Sequence, residues 1–355
     1  MSTMTSERTS AALPDDPYGL AGQVLPRWAV PAVVVVAVAL SGLLVVATPA
    51  HGPAQALVMA ALLYLVVMTA ASFAREGRRR AVDRLATTLI VASFLVALAP
   101  LTAIIVKVVV EGAGVVNGTF LTHSLRNIGP TDTGGGIYHG IVGTLEQAAI
   151  TTVMAVPVAI LTAVYLVEYG RGWLAKGITF FVDVMTGVPS IVAGLFVYTV
   201  WVLILGFQRS GFAVTFALAI LMIPVVVRST EEMLKLVPNE LREASLALGV
   251  PRWRTIVKVV IPTALPGIVT GIMLGVARVM GETAPLLLLT GFTSSINTDL
   301  LHGPQASLPL IIFDQAQRPS AISVERAWGT ALTLIVIVML LNLAGRVVAR
   351  FSRVR

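Results

Sequence analysis

The chain has 355 residues, 56% of them hydrophobic and 12% charged. That balance excludes a soluble domain, whose surface alone takes about a quarter charged residues. It holds no cysteine, so disulfides, thiolate metal centres and cysteine nucleophiles are all excluded. A net charge of +7 would suit nucleic acid in a soluble chain, but here the basic residues flank apolar stretches, the pattern of cytoplasmic loops facing anionic lipid. The expected surface partner is membrane lipid, with no nucleic acid.

Residues 1–28, rich in Ser, Thr, Pro and Asp, read as a disordered cytosolic tail without the cleavage pattern of a signal peptide. Apolar runs near the length of about 17–25 residues needed to cross a bilayer as a helix then follow. They lie near 29–48, 54–74, 86–110, 141–167, 178–206, 211–228, 263–290 and 327–347. The expectation is an all-α integral membrane protein with eight transmembrane helices. Its first two spans, 29–80, form an accessory hairpin set apart by Arg75-Glu76-Gly77-Arg78-Arg79-Arg80. A six-helix core fills 81–355.

Orientation follows from Lys and Arg. With the N-terminus inside, the inner segments carry 19 of the 25, the outer ones hold Arg126, Arg209, Arg318 and Arg326, and Lys107 and Arg278 sit within spans. Both termini are therefore expected in the cytoplasm, and the loops 111–140 and 291–326 outside. Lys107, near the outer end of its helix, is expected to snorkel, and Asp183 to stay at the inner interface. Glu146 receives no role. The four histidines are scattered over outer segments, and Gly134-Gly135-Gly136 reads as a flexible outer turn.

The cytoplasmic loop 229–262 is long and charged. Asn239 serves as a helix N-cap and Gly249 as the stop, giving a ten-residue helix with Leu241, Ala244, Ser245 and Leu248 on one face and Glu240 and Glu243 at its edge. A second helix opens at Pro251 and carries Trp253, Ile256, Val257 and Val260 on one face. Two short amphipathic helices in an elbow suit a groove on a partner, although a basic amphipathic helix with an interfacial Trp also suits lipid headgroups.

In the run 263–290, Gly267, Gly271 and Gly275 form a small-residue stripe for close approach of another helix. On a continuous helix Arg278 and Glu282 fall near that face, so both charges are expected to point into an interface or pore. An intramembrane Arg costs at least ~2.5–3.5 kcal/mol on insertion scales, so it is either paired, here with Glu282, or functional. Its planar fork fits an oxyanion. No Gly-x-x-x-x-Gly-Lys-Ser/Thr run occurs, so nucleotide chemistry has to come from another subunit, and no cofactor is implied.

The order Glu243-Ala244-Ser245, three residues, Gly249, then Val259-Val260-Ile261-Pro262 resembles the EAA loop of ABC importer permeases, which docks on a separate ATPase. The core, roughly 86–355, is similar to the PstA-type permease family of phosphate ABC importers. The similarity is carried by Gly134-Gly135-Gly136-Ile137, Ile141-Val142-Gly143-Thr144-Leu145, Tyr165-Leu166-Val167-Glu168-Tyr169 and Gly187-Val188-Pro189-Ser190. Arg278-x-x-Gly281-Glu282-Thr283-Ala284-Pro285 and Ser307-Leu308-Pro309 complete it. Departures are Ser245 for the second Ala of the loop, Val259 and Ile261 where Ile and Leu are usual, and Tyr138-His139-Gly140 where a proline is usual. The two N-terminal spans lie outside the family core.

The resemblance implies a six-helix ABC importer permease core preceded by an extra two-helix hairpin. It also implies a heterodimer with a PstC-like second permease, a PstB-like ATPase dimer, and a PstS-like phosphate-binding protein delivering phosphate. Coupling would fall to Glu243, Ala244, Ser245, Gly249 and Pro262, and the anion pathway to Arg278, Glu282 and Thr283. The alternatives are a permease for molybdate or sulfate and, in another class, a secondary transporter, which would carry inverted repeats and further buried charges.

Overall fold

The computed structural model describes residues 25–26, 28–47 and 53–351. The tail 1–28 falls almost wholly outside them. Among the described residues all regular structure is helical. Six helices are long and apolar enough to span a membrane, and a bent pair adds a seventh if counted as one crossing.

The chain divides into two compact units at Ile104. In the first, α1 (Ala29–Ala47) packs on α2 (Pro53–Glu76). The Glu76 carboxylate is tied by Arg84 Nε at 2.7 Å, Ser72 Oγ at 2.6 Å and the backbone N–H of Leu25 at 2.7 Å. The apolar stretch of α1 is shorter than the other spans. Next comes α3 (Arg78–Ala113), which runs on into the second unit.

The second unit continues with the short α4 (Gly118–Thr122) and then α5, helical over Tyr138–Tyr169 with a final π-turn at Tyr165–Tyr169. A bent pair follows, α6 (Gly172–Thr186) and α7 (Ser190–Ile204), meeting at 106°. The expected single span 178–206 is thus two helices, because Pro189 disfavours helical backbone at Val188 and cannot donate to the preceding turn. Next are α8 (Gly211–Lys235) and α9 (Asn239–Ala247). Then α10 runs Arg252–Met280, followed by α11 (Ala284–Leu289), α12 (Leu308–Ala316) and α13 (Ala321–Phe351).

At the centre, α8 packs on α5 and α10. The α5 face consists of Ala148, Ala155, Ala159 and Ala163, small residues at helical spacing that join Ala217, Leu218 and Met222 of α8 in one buried cluster. The glycine stripe of α10 meets the other side of α8: a Cβ at Gly267 would strike Met233, and one at Gly271 would strike Ser229. Gly275 faces Val226 and Met222. As the α10 number rises the α8 number falls, so the helices are antiparallel, and the expected close approach has α8 as its partner.

Two expectations in this region change. The second loop helix is not separate: Arg252 opens a run continuous to Met280, through a π-turn at Ile256–Val260 next to Pro262, whose missing N–H interrupts the regular ladder. Consequently Ile256 and Val260 are buried while Trp253 and Val257 stay exposed, dividing the face expected to hold all four. The run 263–290 also breaks: α10 ends at Met280 with Gly281 as its C-cap, and Pro285 helps open α11.

Candidate functional site

The loop helix α9 begins after Pro238, which occupies the N-cap position without a side-chain bond; Asn239 is therefore the first helical residue and not the cap. Its end is as expected. Gly249 has φ +77°, its N–H donates to Leu246 O at 2.9 Å, and Val250 N–H donates to Ser245 O at 3.3 Å. These two bonds close a Schellman turn over otherwise unpaired carbonyls.

No residue of α9 is buried. Glu243 and Ala244 are exposed, as are Leu241, Leu246 and Leu248, the last 84% accessible. Ser245 Oγ lies 2.9 Å from Thr255 Oγ1, tying α9 to the start of α10, and Pro262 is exposed farther along that helix. Leu241 and Leu246 of α9, with Leu248 just past its end, are therefore apolar side chains left in the open beside charged ones.

What holds α9 in place is a charge cluster whose members lie far apart in sequence. The Arg242 guanidinium donates from Nη2 and Nε to Glu168 Oε1 at 2.9 and 3.0 Å. It also donates to Leu234 O at 2.8 Å and Val237 O at 2.5 Å. Glu168 is buried in the π-turn ending α5, and Arg252 donates to its backbone carbonyl while lying over the Tyr169 ring at 5.1 Å. Nearby, Arg228 bridges Asp183 of α6 and Glu231, and Glu231 also accepts from Lys235 at 2.6 Å. Asp183, expected at an interface, is thus one end of a helix-to-helix ion network.

On α10, Arg278 is exposed, whereas Gly275 is buried against α8. Because the helix stops at Met280, the i, i+4 relation with Glu282 does not exist, and among the described residues no ion pair joins the two. The expectation that both point together into one interface is corrected on that ground. Glu282 instead lines a constriction of ≈ 10 Å³ with Thr144, Gln147 and Ser307, too small for an oxyanion and marginal for one water. Thr283 is partly buried at the start of α11.

Beside this constriction lies a buried polar lock, also unforeseen. Gln147 Nε2 donates to Gln305 Oε1 at 2.9 Å, and Gln305 Nε2 donates to Glu146 Oε2 at 2.6 Å. The backbone of Gln305 exchanges bonds with Thr290 Oγ1, and Leu308 N–H donates to Thr144 Oγ1 at 2.8 Å. Ser307 caps α12. Glu146, given no role from sequence, is therefore a member of this lock. A readable signal existed in α5, where Thr144, Gln147 and Thr151 fall at helical spacing in an apolar span and are all buried.

In the expected outer loops, Arg326 is buried and donates to the carbonyls of Gly129, Asp132 and Gly134, while Ser323 Oγ donates to Pro130 O at 3.0 Å. The 129–134 turn is thus clamped by α13. Lys107, expected to snorkel, is exposed and lies 5.3 Å over the Trp328 ring. At Asp299 the backbone N–H of Leu301, then the His302 ring, hold the carboxyl below the ordinary carboxylate value.

Comparison with known proteins gives the family and the fold. The chain belongs to the binding-protein-dependent transport system inner membrane component family, whose profile matches residues 155–354. Within that class it is 53% identical over 279 residues to the phosphate transport system permease protein PstA 1 of Mycobacterium tuberculosis (strain H37Rv), spanning 78% of this chain and 90% of the relative. It is 52% identical over 269 residues to the PstA of Mycobacterium leprae, covering 76% and 88% of the two chains. To the PstA of Yersinia pestis it is 41% identical, covering 77% and 92%.

Among solved structures, an inward-facing MetNI methionine ABC transporter chain superposes with TM-score 0.51 at 20% identity, over 61% of this chain and 95% of that one. A bacterial alginate ABC importer chain gives 0.52 at 14%, over 76% and 96%. The fold is that of an ABC permease.

Proposed function

We propose that the chain is a membrane-spanning permease subunit of an ABC importer that moves inorganic phosphate into the cytoplasm, driven by a separate ATPase. The observation that carries this reading is identity above 50% over more than three quarters of the chain to mycobacterial PstA phosphate permeases. The partners are a PstC-like second permease, a PstB-like ATPase dimer docking on α9, and a PstS-like phosphate-binding protein at the outer face. ATP is bound by the ATPase subunits alone.

The organisation that fits is a cytosolic tail over 1–28, an accessory transmembrane hairpin over 29–80 and the permease domain over 81–355, with coupling loop 229–262. Eight crossings in the cell membrane, with both termini cytoplasmic, agree with the distribution of basic residues. Glu243, Ala244, Ser245, Gly249 and Pro262 serve coupling. An exposed Leu241, Leu246 and Leu248 on a helix without buried residues supports that role.

Arg278, exposed on this chain alone, suits the face turned to the second permease, where its fork would meet the passing anion. Glu282 and Thr283 flank it along the pathway.

The test is uptake by the whole complex in proteoliposomes, with the binding protein outside and ATP inside. Labelled phosphate should accumulate, and excess unlabelled phosphate should suppress it. Stronger suppression by molybdate or sulfate would reassign the substrate, and accumulation without ATP would point to a secondary transporter.

A further inference from the structure

No residue of α9 is fully buried and its leucines are exposed, so apolar packing does little to fix its place on the permease. Its position is set by polar contacts, and most of them pass through one side chain. The Arg242 guanidinium engages Nε, Nη1 and Nη2 at once: Glu168 on α5, the α8-end carbonyls of Leu234 and Val237, and Asn239 Oδ1 at 3.3 Å. A planar fork of five donors can bridge three elements in this way, and an ammonium cannot.

Glu168 is similarly placed. It is 6% exposed, its carboxylate is held by Arg242, and its backbone carbonyl receives Arg252 from the start of α10. It sits in the last turn of α5, where the helix carbonyls lack an intrahelical partner and can accept from outside. The same continuous helix carries Thr144 and Gln147 at its other end, where they hold Leu308 and Gln305. From Glu168 to Gln147 that helix is roughly 30 Å of rod at 1.5 Å per residue.

From this we infer that the Arg242–Glu168 pair is the mechanical link between the ATPase-docking helix and the fourth apolar span. Displacement of α9 moves α5 along its length and so acts on the polar lock at the far end. Arg242 and Glu168 are positioning residues: neither meets the transported ion. The Ser245–Thr255 contact joins α9 to α10, whose Arg252 reaches only the Glu168 backbone carbonyl, so Arg242 is the one α9 side chain bonded directly to α5 among the described residues. This inference rests on the proposed docking of an ATPase at α9.

The experiment uses the complete complex in proteoliposomes and reads three quantities in each variant: ATPase subunit retained on purification, ATP hydrolysed, and phosphate taken up per ATP. For Arg242→Gln the ATPase should remain bound and hydrolyse ATP, while uptake per ATP falls about tenfold, within the range by which coupling positions act. Arg242→Lys, which keeps the charge without the fork, should lie between. Glu168→Gln preserves shape and acceptor oxygen, and carries the test if Arg242→Gln fails to insert; its uptake per ATP should fall as well.

Unchanged uptake per ATP in Arg242→Gln and Glu168→Gln overturns the link. So does loss of the ATPase subunit together with uptake in both, which would make the pair a brace for docking alone. If the unaltered complex retains no ATPase or hydrolyses no ATP, the proposed function fails instead, and the two failures are distinguished.

Discussion

Gly249 stands at φ +77° in open space, so the conformation and not crowding restricts this position. A β-branched replacement strains the left-handed turn by ~1–2 kcal/mol and loosens the Schellman bonds to Leu246 and Ser245. Gly249→Val is expected to insert normally yet lose ATP-driven phosphate uptake; full uptake with an intact complex would remove the turn from coupling. Arg278 offers a second residue-scale test. Since no ion pair joins it to Glu282, the change Arg278→Leu with Glu282→Leu should leave transport as low as Arg278→Leu alone. Arg278→Lys should also be impaired, because it keeps the charge and loses the bidentate fork. Recovery in the double variant, measured by vesicle uptake at matched expression, would reduce Arg278 to a partner of Glu282.

Between elements, close approach at glycine makes the packing testable by single methyl groups. A Cβ at Gly143 of α5 would collide with the backbone oxygen of Ala306, which cannot swing aside as a side chain can. Gly143→Ala should therefore destabilise by about 1–3 kcal/mol. Gly177→Ala, in α6 with nothing within 4 Å, should instead raise stability by up to about 1 kcal/mol through helix propensity. Thermal unfolding in detergent separates the two. Arg326→Met should free the carbonyls of Gly129, Asp132 and Gly134, and faster amide exchange across 129–136 would report it. The helices and the glycine stripe were legible in sequence because apolar run length and four-residue spacing are local properties. The break at Gly281 was less so, since a glycine and a proline in an apolar run leave it undecided whether the helix bends or stops. Arg242 with Glu168, 74 positions apart, and Gln147 with Gln305, 158 apart, give no local signal, because only the fold brings them together.

For the molecule as a whole, the asymmetry of 19 inner against four outer basic residues fixes an expected topology. The chain has no cysteine, so introduced thiols report without background. Cysteines at Ser124 and Ser295 should react from outside with an impermeant maleimide, and one at Asn239 should not; labelling of position 239 in intact cells would invert the map. A further whole-molecule consequence follows from the unburied α9. A helix with exposed leucines, kept in place by hydrogen bonds and one ion pair, opens at a small fraction of the free energy that unfolds the bundle. A copy made without its partners would display those leucines in an easily unwound segment, the form that membrane proteases and chaperones seize. The docking surface would then also set subunit stoichiometry, with unassembled permease cleared and assembled permease spared.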